Sequence, residues 1–293
     1  PIIKALREGL AANRIDRLYG ILNGTCNYIL TDMVTSGREF DEILAEAQDL
    51  GYAEADPSFD VDGIDAAHKL AILAAVAFGT EVDFDNVYIE GIRHISPIDI
   101  EFAHELGYGI KLLGVAARGE DGAIEQRVHP CMVAADAPIN HVSGVFNGIE
   151  VAGDFVDTTI YEGRGAGEGP TASAVVADLV DIARGSQVPT FAIKADQLKP
   201  ANTLPMGRRR GAYYVRFMVV DQPGVFADIA AALRDNEVSM ESVLQRGRAP
   251  GEQVPVVMTV HETEEDAMQR CLQAIAALEV VVEPPRLIRI ESV

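Results

Sequence analysis

An aspartate and a lysine four residues apart, Asp65 and Lys69, are the side chains of this sequence best suited to proton chemistry. Because four residues make about one helical turn, a helix places both side chains on one face. The residues that follow, 70–78, are all apolar, which predicts a helix buried in a protein core. A lysine at the mouth of a core can act as a general acid, since burial lowers its pKa and nearby carboxylates raise it.

The loop before this helix is rich in carboxylates. They are Glu54, Asp56, Asp60 and Asp62. So many carboxylates at the entrance of a core are either solvated or bind a cationic group. The residues alone leave three hypotheses open: an ordinary surface ion pair between Asp65 and Lys69, a lysine that acts as a general acid for a carbonyl or hydroxyl group, and a divalent-cation site held by the carboxylates. The spacing around Pro57 does not match a calcium-binding loop.

Charge and composition argue against several classes of protein. The formal net charge of −21 over 293 residues argues against nucleic acid and anionic membrane surfaces as partners. The three cysteines have no C-x-x-C spacing and the six histidines no metal-binding spacing, so we predict no metal site and reduced thiols in a cytoplasmic protein. The longest apolar run, 70–78, is far shorter than the roughly 20 residues of a membrane-spanning helix.

Apolar periodicity and turn residues divide the chain into two folded parts. Residues 1–190 predict an α/β (α+β) arrangement, a mixed sheet with helices. The predicted helices are 1–12, 27–36 with Thr25 as its cap, 40–50, 64–78, 99–106 and 171–184, and the predicted strands are 16–21, 87–92, 110–117, 124–131, 149–155 and 157–161. Residues 211–293 predict a ferredoxin-like β-α-β-β-α-β order. Residues 191–210 are predicted to be a linker, with Arg208, Arg209 and Arg210 as a solvated cluster.

The segment that ends at Lys69 closely resembles the signature of the homoserine dehydrogenase family. The matching positions are Ala47-x₃-Gly51-Tyr52-Ala53-x₂-Asp56-Pro57-x₂-Asp60-Val61-x-Gly63-x-Asp65-x₃-Lys69. Three further segments are similar to this family: N-G-T-x-N-Y-I-L from Asn23, E-L-G-Y-x-I-K-L-L-G from Glu105, and G-A-G-x-x-P-T-A-S-A-V-V-x-D-L from Gly165. The resemblance covers essentially the whole chain.

The resemblance implies a reaction and a set of roles. The family interconverts L-aspartate 4-semialdehyde and L-homoserine with NAD or NADP as the hydride carrier, on the route to threonine, methionine and isoleucine. By resemblance, Lys69 passes the proton to and from the substrate oxygen, and Asp65 hydrogen-bonds the substrate beside it. The implied substrate-binding residues are Glu54, for the substrate ammonium, and Asp60, Thr25 and Gly24.

The resemblance also implies contacts with the cofactor. Gly51 is expected to let the backbone approach it, and the glycine-rich loop with Gly165 and Gly167 is expected to face it, at a helix that begins with Pro170. The dinucleotide fingerprint G-x-G-x-x-G is absent from the sequence. We therefore expect a nucleotide-binding domain before Pro1, together with most of a monovalent-cation site, and we expect the isolated chain to be inactive.

The C-terminal part resembles an ACT domain. The turn Asp221-x-Pro223-Gly224-Val225 between its first strand and first helix carries the resemblance. It implies a sensor of small amino acids, with threonine as the effector, in a protein that forms a homodimer or a larger assembly. An alternative function follows from this part alone: an amino-acid-sensing or dimerisation module without catalysis of its own.

Overall fold

The computed structural model describes residues 1–119, 121–246 and 249–293. Within them the chain forms helices and strands in mixed order. The helices are α1 (Ile2–Lys4, continued by a π-helical turn over Ala5–Gly9), α2 (Gly24–Ser36), α3 (Phe40–Asp49), α4 (Ser58–Val61), α5 (Ile64–Phe78), α6 (Pro97–Glu105), α7 (Glu168–Ala183), α8 (Val225–Asp235) and α9 (Glu265–Ala276). The strands are β1 (Ile15–Ile21), β2 (Tyr88–Ile89), β3 (Tyr108–Arg118), β4 (Ile124–Ala134), β5 (Phe146–Gly153), β6 (Asp157–Arg164), β7 (Arg210–Val220), β8 (Met240–Gln245), β9 (Gln253–Glu264) and β10 (Arg286–Glu291).

All these strands belong to one mixed sheet, in the order β6-β5-β1-β3-β4-β10-β7-β9-β8, with β2 beside β4. The last four strands of that order, together with α8 and α9, form the predicted β-α-β-β-α-β unit, so the predicted fold class is confirmed. The sequence did not predict how the two parts join. Strand β10 pairs antiparallel with β7 of its own unit and parallel with β4 of the other, so one sheet runs through both.

Helix α5 has the predicted bounds and the predicted burial. Its first residue follows Gly63 and its last precedes Gly79, and both glycines adopt left-handed backbone angles that end or begin a helix. Leu70 and Leu73 are buried in the main core, where each large apolar side chain contributes about 1.5–3 kcal/mol. Lys69 is exposed on the same helix. The helix therefore anchors Lys69 in a rigid core while leaving its ammonium group accessible.

Three local predictions differ from the structure. The cap of α2 is Asn23, whose side chain accepts a hydrogen bond from the Cys26 N–H, so Thr25 already lies inside the helix. The strand predicted over 87–92 forms only at Tyr88–Ile89. Helix α7 begins at Glu168, so Pro170 is its third residue, where the missing N–H is still one that a helix leaves unpaired.

The predicted linker packs against the sheet, and its arginines are not all solvated. The Ile124 N–H donates to the Asn202 carbonyl oxygen at 2.7 Å, and the Leu204 N–H donates to the Ile124 carbonyl oxygen at 2.9 Å. Arg209 is 2% exposed and donates to the Glu291 carboxylate at 2.7 Å. The prediction of a solvated cluster is wrong for Arg209. This arginine is buried because the carboxylate of Glu291, 82 residues later in the chain, accepts its hydrogen bond in the interior.

Across the three described ranges, every helix is too short or too polar to cross a membrane.

Candidate active site

Asn23 is the centre of a small network that joins two of the predicted carboxylates. It is 5% exposed, and its side-chain oxygen caps α2 through the Cys26 N–H at 2.8 Å. Its amide nitrogen has two hydrogens and donates to Asp60 at 2.8 Å and to Asp65 at 2.9 Å. Sequence reasoning gave Asn23 no role. The preference of asparagine for helix caps was the one signal that could have found it.

Lys69 lies against the same network. Its Nζ is 2.7 Å from Asp65 Oδ2 and 3.0 Å from the Leu22 carbonyl oxygen. The side chains of Lys69 and Asp65 are 47% and 20% exposed, so the pair is open to solvent on one side. An ammonium group has three donors. Two of them have acceptors in the described part of the chain, and the third is available to a ligand.

Thr25 and Gly24 border the two carboxylates. The Thr25 hydroxyl donates to the Tyr52 carbonyl at 2.8 Å and lies 3.1 Å from Asp60 Oδ2. A Cβ atom on Gly24 would be 2.9 Å from the Val145 carbonyl oxygen, a contact that only backbone movement would relieve. The chain therefore needs glycine here to pack the start of α2 against the segment before β5.

Glu54 lies on the exposed loop after α3, apart from the hydrogen-bonded network. Gln48 holds this loop by donating to the carbonyl oxygens of Glu54 at 2.9 Å and Ala55 at 3.3 Å. Within the described residues the Glu54 carboxylate accepts no hydrogen bond, so it is free to bind a cationic group. Gly51 has a φ of 75° and ends α3, with open space where a Cβ would lie.

The other carboxylates of the loop already have partners. Asp56 accepts a hydrogen bond from the Ser58 N–H at 3.1 Å, and its hydrogen bonds to Ser58 lower the pKa of this carboxyl. Asp62 forms an ion pair with Arg93. These two carboxylates hold α4 in place and do not converge on Asp60 and Asp65.

In the described ranges, side chains suited to a metal ion converge at His129, Cys131 and Glu291, away from the loop. Their ligand atoms lie within 4.8 Å of one another. Arg127 and Arg209 both bind the Glu291 carboxylate, so a cation there would face two guanidinium groups. Burial and these arginines make the group unsuited to a divalent ion.

The glycine-rich loop adjoins the start of α2 through Asn147. A Cβ on Gly165 would be 2.6 Å from the Asn147 side chain, and a Cβ on Gly24 would be 3.6 Å from the same side chain. Gly167 has a φ of 115° and immediately precedes α7. The loop therefore brings the N-terminus of a 16-residue helix toward the network, and such a terminus favours anions.

Cys26 beneath the network is not a nucleophile. Burial raises the pKa of its thiol, and the nearby charges of Asp60, Asp65 and Asp62 raise it further. Its Sγ lies 3.2 Å from the Asp60 carbonyl oxygen. The thiol stays protonated and serves as part of the core.

Residues 1–180 match the protein family described as homoserine dehydrogenase, and residues 213–279 match the ACT domain. The chain is 48% identical to a homoserine dehydrogenase of Pseudomonas aeruginosa, across all of this chain and 69% of that protein. A crystal structure of a homoserine dehydrogenase from Thiobacillus denitrificans is 48% identical, with a TM-score of 0.93 over all of this chain and 68% of that one.

A hyperthermophilic archaeal homoserine dehydrogenase solved in complex with NADPH is 31% identical, with a TM-score of 0.54 over 64% of this chain and 53% of that one. The identities of 48% over the whole chain favour an enzyme over a sensing or dimerisation module without catalysis.

Proposed function

The chain belongs to the homoserine dehydrogenase family, and we propose that Lys69 moves the proton in the reaction of this family. The family's enzymes are oxidoreductases of amino-acid biosynthesis that interconvert L-aspartate 4-semialdehyde and L-homoserine with NAD(P)H. Bound NAD(P)H supplies the hydride. The protein has to orient the substrate and handle one proton at its oxygen.

The observation that carries the proposal is the half-exposed Lys69 ammonium fixed by Asp65 and the Leu22 carbonyl. Its third N–H has no acceptor within the described residues, so it is available to a substrate oxygen. In the reductive direction Lys69 donates a proton to the carbonyl oxygen of the semialdehyde as that carbon is reduced. In the oxidative direction the neutral amine accepts the hydroxyl proton of homoserine. Asp65 holds the lysine and hydrogen-bonds the substrate beside it.

The carboxylates around Lys69 suit the rest of an amino-acid substrate. Glu54, exposed and without a hydrogen-bond donor in the described residues, is proposed to bind the substrate ammonium. Asp60, Thr25 and Gly24 are proposed to shape the pocket next to Asp65, where Asn23 keeps both aspartates in place. This assignment gives the carboxylate-rich loop a cationic partner in the substrate itself.

For the cofactor we propose contacts from Gly51, Gly165 and Gly167. The glycine-rich loop suits a dinucleotide phosphate, because the first N–H groups of α7 are available there. These contacts do not discriminate between NAD and NADP. We assign no residue of this chain to the monovalent cation that the family resemblance implies.

We propose a catalytic domain over 1–190, a linker over 191–210 and a regulatory ACT-like domain over 211–293 that responds to threonine. Strand β8 pairs only with β9 in the described residues, so its outer edge suits pairing with a second copy in a homodimer. The three cysteines are unpaired and buried, which suits the reducing cytoplasm.

The test compares two aspartates of the same segment. Asp65→Asn should lower kcat/KM for homoserine by about 100-fold or more, because it removes the charge that holds Lys69. Asp62→Asn is the matched control and should leave kcat/KM unchanged, since within the described residues the Asp62 carboxylate pairs with Arg93 alone. Turnover is measured in a chimera that supplies the remaining part of the Pseudomonas aeruginosa relative, and homoserine binding is measured in the chain itself. Equal effects of the two substitutions would contradict the proposal.

A further inference from the structure

Both polar atoms of the Asn23 side chain are bound to groups of the protein. Oδ1 accepts the Cys26 N–H at 2.8 Å and so caps α2. Nδ2 donates one hydrogen to Asp60 Oδ1 at 2.8 Å and the other to Asp65 Oδ2 at 2.9 Å. The reverse orientation of the amide would direct its carbonyl oxygen at two carboxylates and its NH₂ group at an N–H donor. These partners therefore fix the orientation of the side chain.

The hydrogen bond from Asn23 determines which oxygen of Asp65 is available to a ligand. Asp65 Oδ2 accepts from Lys69 Nζ at 2.7 Å as well as from Asn23, and two donors fill the two lone pairs of a carboxylate oxygen. Asp65 Oδ1 accepts no hydrogen bond from the described residues. One oxygen of Asp65 therefore holds Lys69, and the other remains for a substrate hydroxyl.

The second hydrogen of the Asn23 amide connects this pair to Asp60. Asp60 Oδ1 and Asp65 Oδ2 both lie within 2.9 Å of one nitrogen atom, so two carboxylates face each other at short range. Like charges at this range repel, and donors placed between them offset the repulsion. An amide supplies two such donors without adding charge. Asn23 thus keeps the Asp65 carboxylate turned toward Lys69 although Asp60 is close.

The backbone beside Asn23 supplies the other acceptor of the lysine. Lys69 Nζ donates to the carbonyl oxygen of Leu22 at 3.0 Å, and Leu22 immediately precedes the helix cap. The conformation of residues 22–23 therefore sets both groups that hold the ammonium, one through the backbone and one through Asp65.

We propose that Asn23 is a positioning residue for proton transfer by Lys69, a role that rests on the proposed function of this site. Asn23 acts through Asp65 and through the capped backbone at Leu22. Together they hold the ammonium group in one place, with its third N–H available to the substrate oxygen. Because a displacement of about 1 Å at a reacting group can cost about 100-fold in rate, loss of this support should appear in turnover.

The test replaces Asn23 by residues that still cap α2. Serine and aspartate are both strong capping residues, so Asn23→Ser and Asn23→Asp keep an acceptor for the Cys26 N–H. Serine has one O–H and cannot donate to both carboxylates, whereas aspartate has no donor and adds a third negative charge. We expect kcat to fall at least about tenfold in Asn23→Ser, and further in Asn23→Asp. KM for homoserine should stay within about threefold in Asn23→Ser, because Glu54 is unchanged.

Asn27→Ser is the matched control, one turn further along the same helix. The Asn27 side chain donates to the carbonyl oxygens of Val142 and Phe146, away from the two aspartates. This substitution should lower the melting temperature and leave kcat per folded molecule unchanged. A merely structural role of Asn23 predicts the same for Asn23→Ser. An unchanged kcat in Asn23→Ser, measured in the chimera with the Pseudomonas aeruginosa relative, would therefore overturn the proposal.

A measurement on the chain itself checks the two hydrogen bonds. In a sample labelled with ¹⁵N at asparagine, the side-chain signals of Asn23 are those that Asn23→Ser removes. We expect these NH₂ hydrogens to exchange with water at least about tenfold more slowly than those of Asn86, which is exposed although it donates to Asp83. Equal exchange rates would contradict the bridge between the two aspartates.

The result for Lys69→Ala separates failure of this proposal from failure of the proposed function. If Lys69→Ala keeps near-normal turnover, the catalytic role of Lys69 fails, and the positioning role of Asn23 fails with it. If Lys69→Ala loses turnover whereas Asn23→Ser keeps it, the positioning role of Asn23 alone fails. We expect both substitutions to lower turnover, with the larger loss in Lys69→Ala.

Discussion

Two clusters of the molecule combine basic side chains with carboxylates, and they differ in exposure and in completeness. In the cluster around Lys69, the lysine and Asp65 side chains are 47% and 20% exposed, and donors and acceptors remain available. In the seam between β4 and β10, Arg289 and Glu265 are 2% and 4% exposed and bind each other through two hydrogen bonds. We therefore propose that these charged groups bind a ligand in the cluster around Lys69, whereas those around Arg289 stabilise the fold.

Further buried ion pairs of this seam lie where the two parts of the chain meet. Arg209 and Arg127 bind the two oxygens of Glu291, and Arg216 binds Asp99 of α6 at 2.7 Å. Tyr214 donates to the same Asp99 at 3.0 Å. Because α6 packs on β3 and β7 belongs to the ACT-like unit, these pairs fix the register in which the units meet.

The largest change in stability is expected in the seam. Arg289→Met should lower the free energy of unfolding by about 3–5 kcal/mol, because it leaves the Glu265 and Glu90 carboxylates without their shared cation in a buried site. Chemical denaturation measures this. Arg234→Met, an exposed arginine, is the control. A loss below about 1 kcal/mol for Arg289→Met would remove the distinction between the two clusters.

Replacement of a buried lysine outside both clusters should raise the free energy of unfolding instead of lowering it. Burial lowers the pKa of Lys111 to about 8, and its Nζ donates to the Val142 carbonyl at 2.7 Å. Asn27 also donates to that carbonyl. Lys111→Met should therefore raise the free energy of unfolding near pH 7 by about 2–3 kcal/mol, since it removes a charge that is costly to bury.

The pH dependence of unfolding provides a second check on Lys111. Between about pH 8 and its unfolded pKa of about 10.4, the unfolded chain binds more protons at this residue than the folded chain. Its contribution to stability should therefore rise with pH across that window, and Lys111→Met should lack the rise. The same slope in both proteins would contradict the assignment.

The smallest effect is expected for an exposed pair at the edge of the candidate site. Asp62 and Arg93 are both 39% exposed in their side chains, so Asp62→Asn should lower the free energy of unfolding by about 0–1 kcal/mol. Thermal unfolding in low and high salt measures the change. A loss comparable to that of Arg289→Met would mean that exposure does not separate structural from functional charges in this protein.

The predictions from sequence succeeded where local signals agree. Helix α5 was bounded correctly because an apolar stretch lies between Gly63 and Gly79, and both glycines carry the left-handed backbone angle. The order of strands and helices in the ACT-like unit followed from periodicity. These features depend on residues near one another in the chain.

The features that sequence reasoning missed depend on distant partners. Arg209 is buried because Glu291 accepts its hydrogen bond, and neither residue reveals the other in the sequence. Asn23 became the centre of the candidate site because α4 and α5 bring Asp60 and Asp65 to it from 37 and 42 residues away. The junction of β10 with β4 likewise depends on tertiary register.

The proposed role of Lys69 is tested most directly by hydride transfer in a single turnover, measured for Lys69→Ala in the chimera with the Pseudomonas aeruginosa relative, with Lys194→Ala, at an exposed lysine, as control. We expect the rate to fall by about 100- to 10,000-fold in Lys69→Ala. We also expect its free energy of unfolding to stay within about 1 kcal/mol of the parent chain, as for other exposed ion pairs. A near-normal rate of hydride transfer in Lys69→Ala would contradict the proposed role of Lys69.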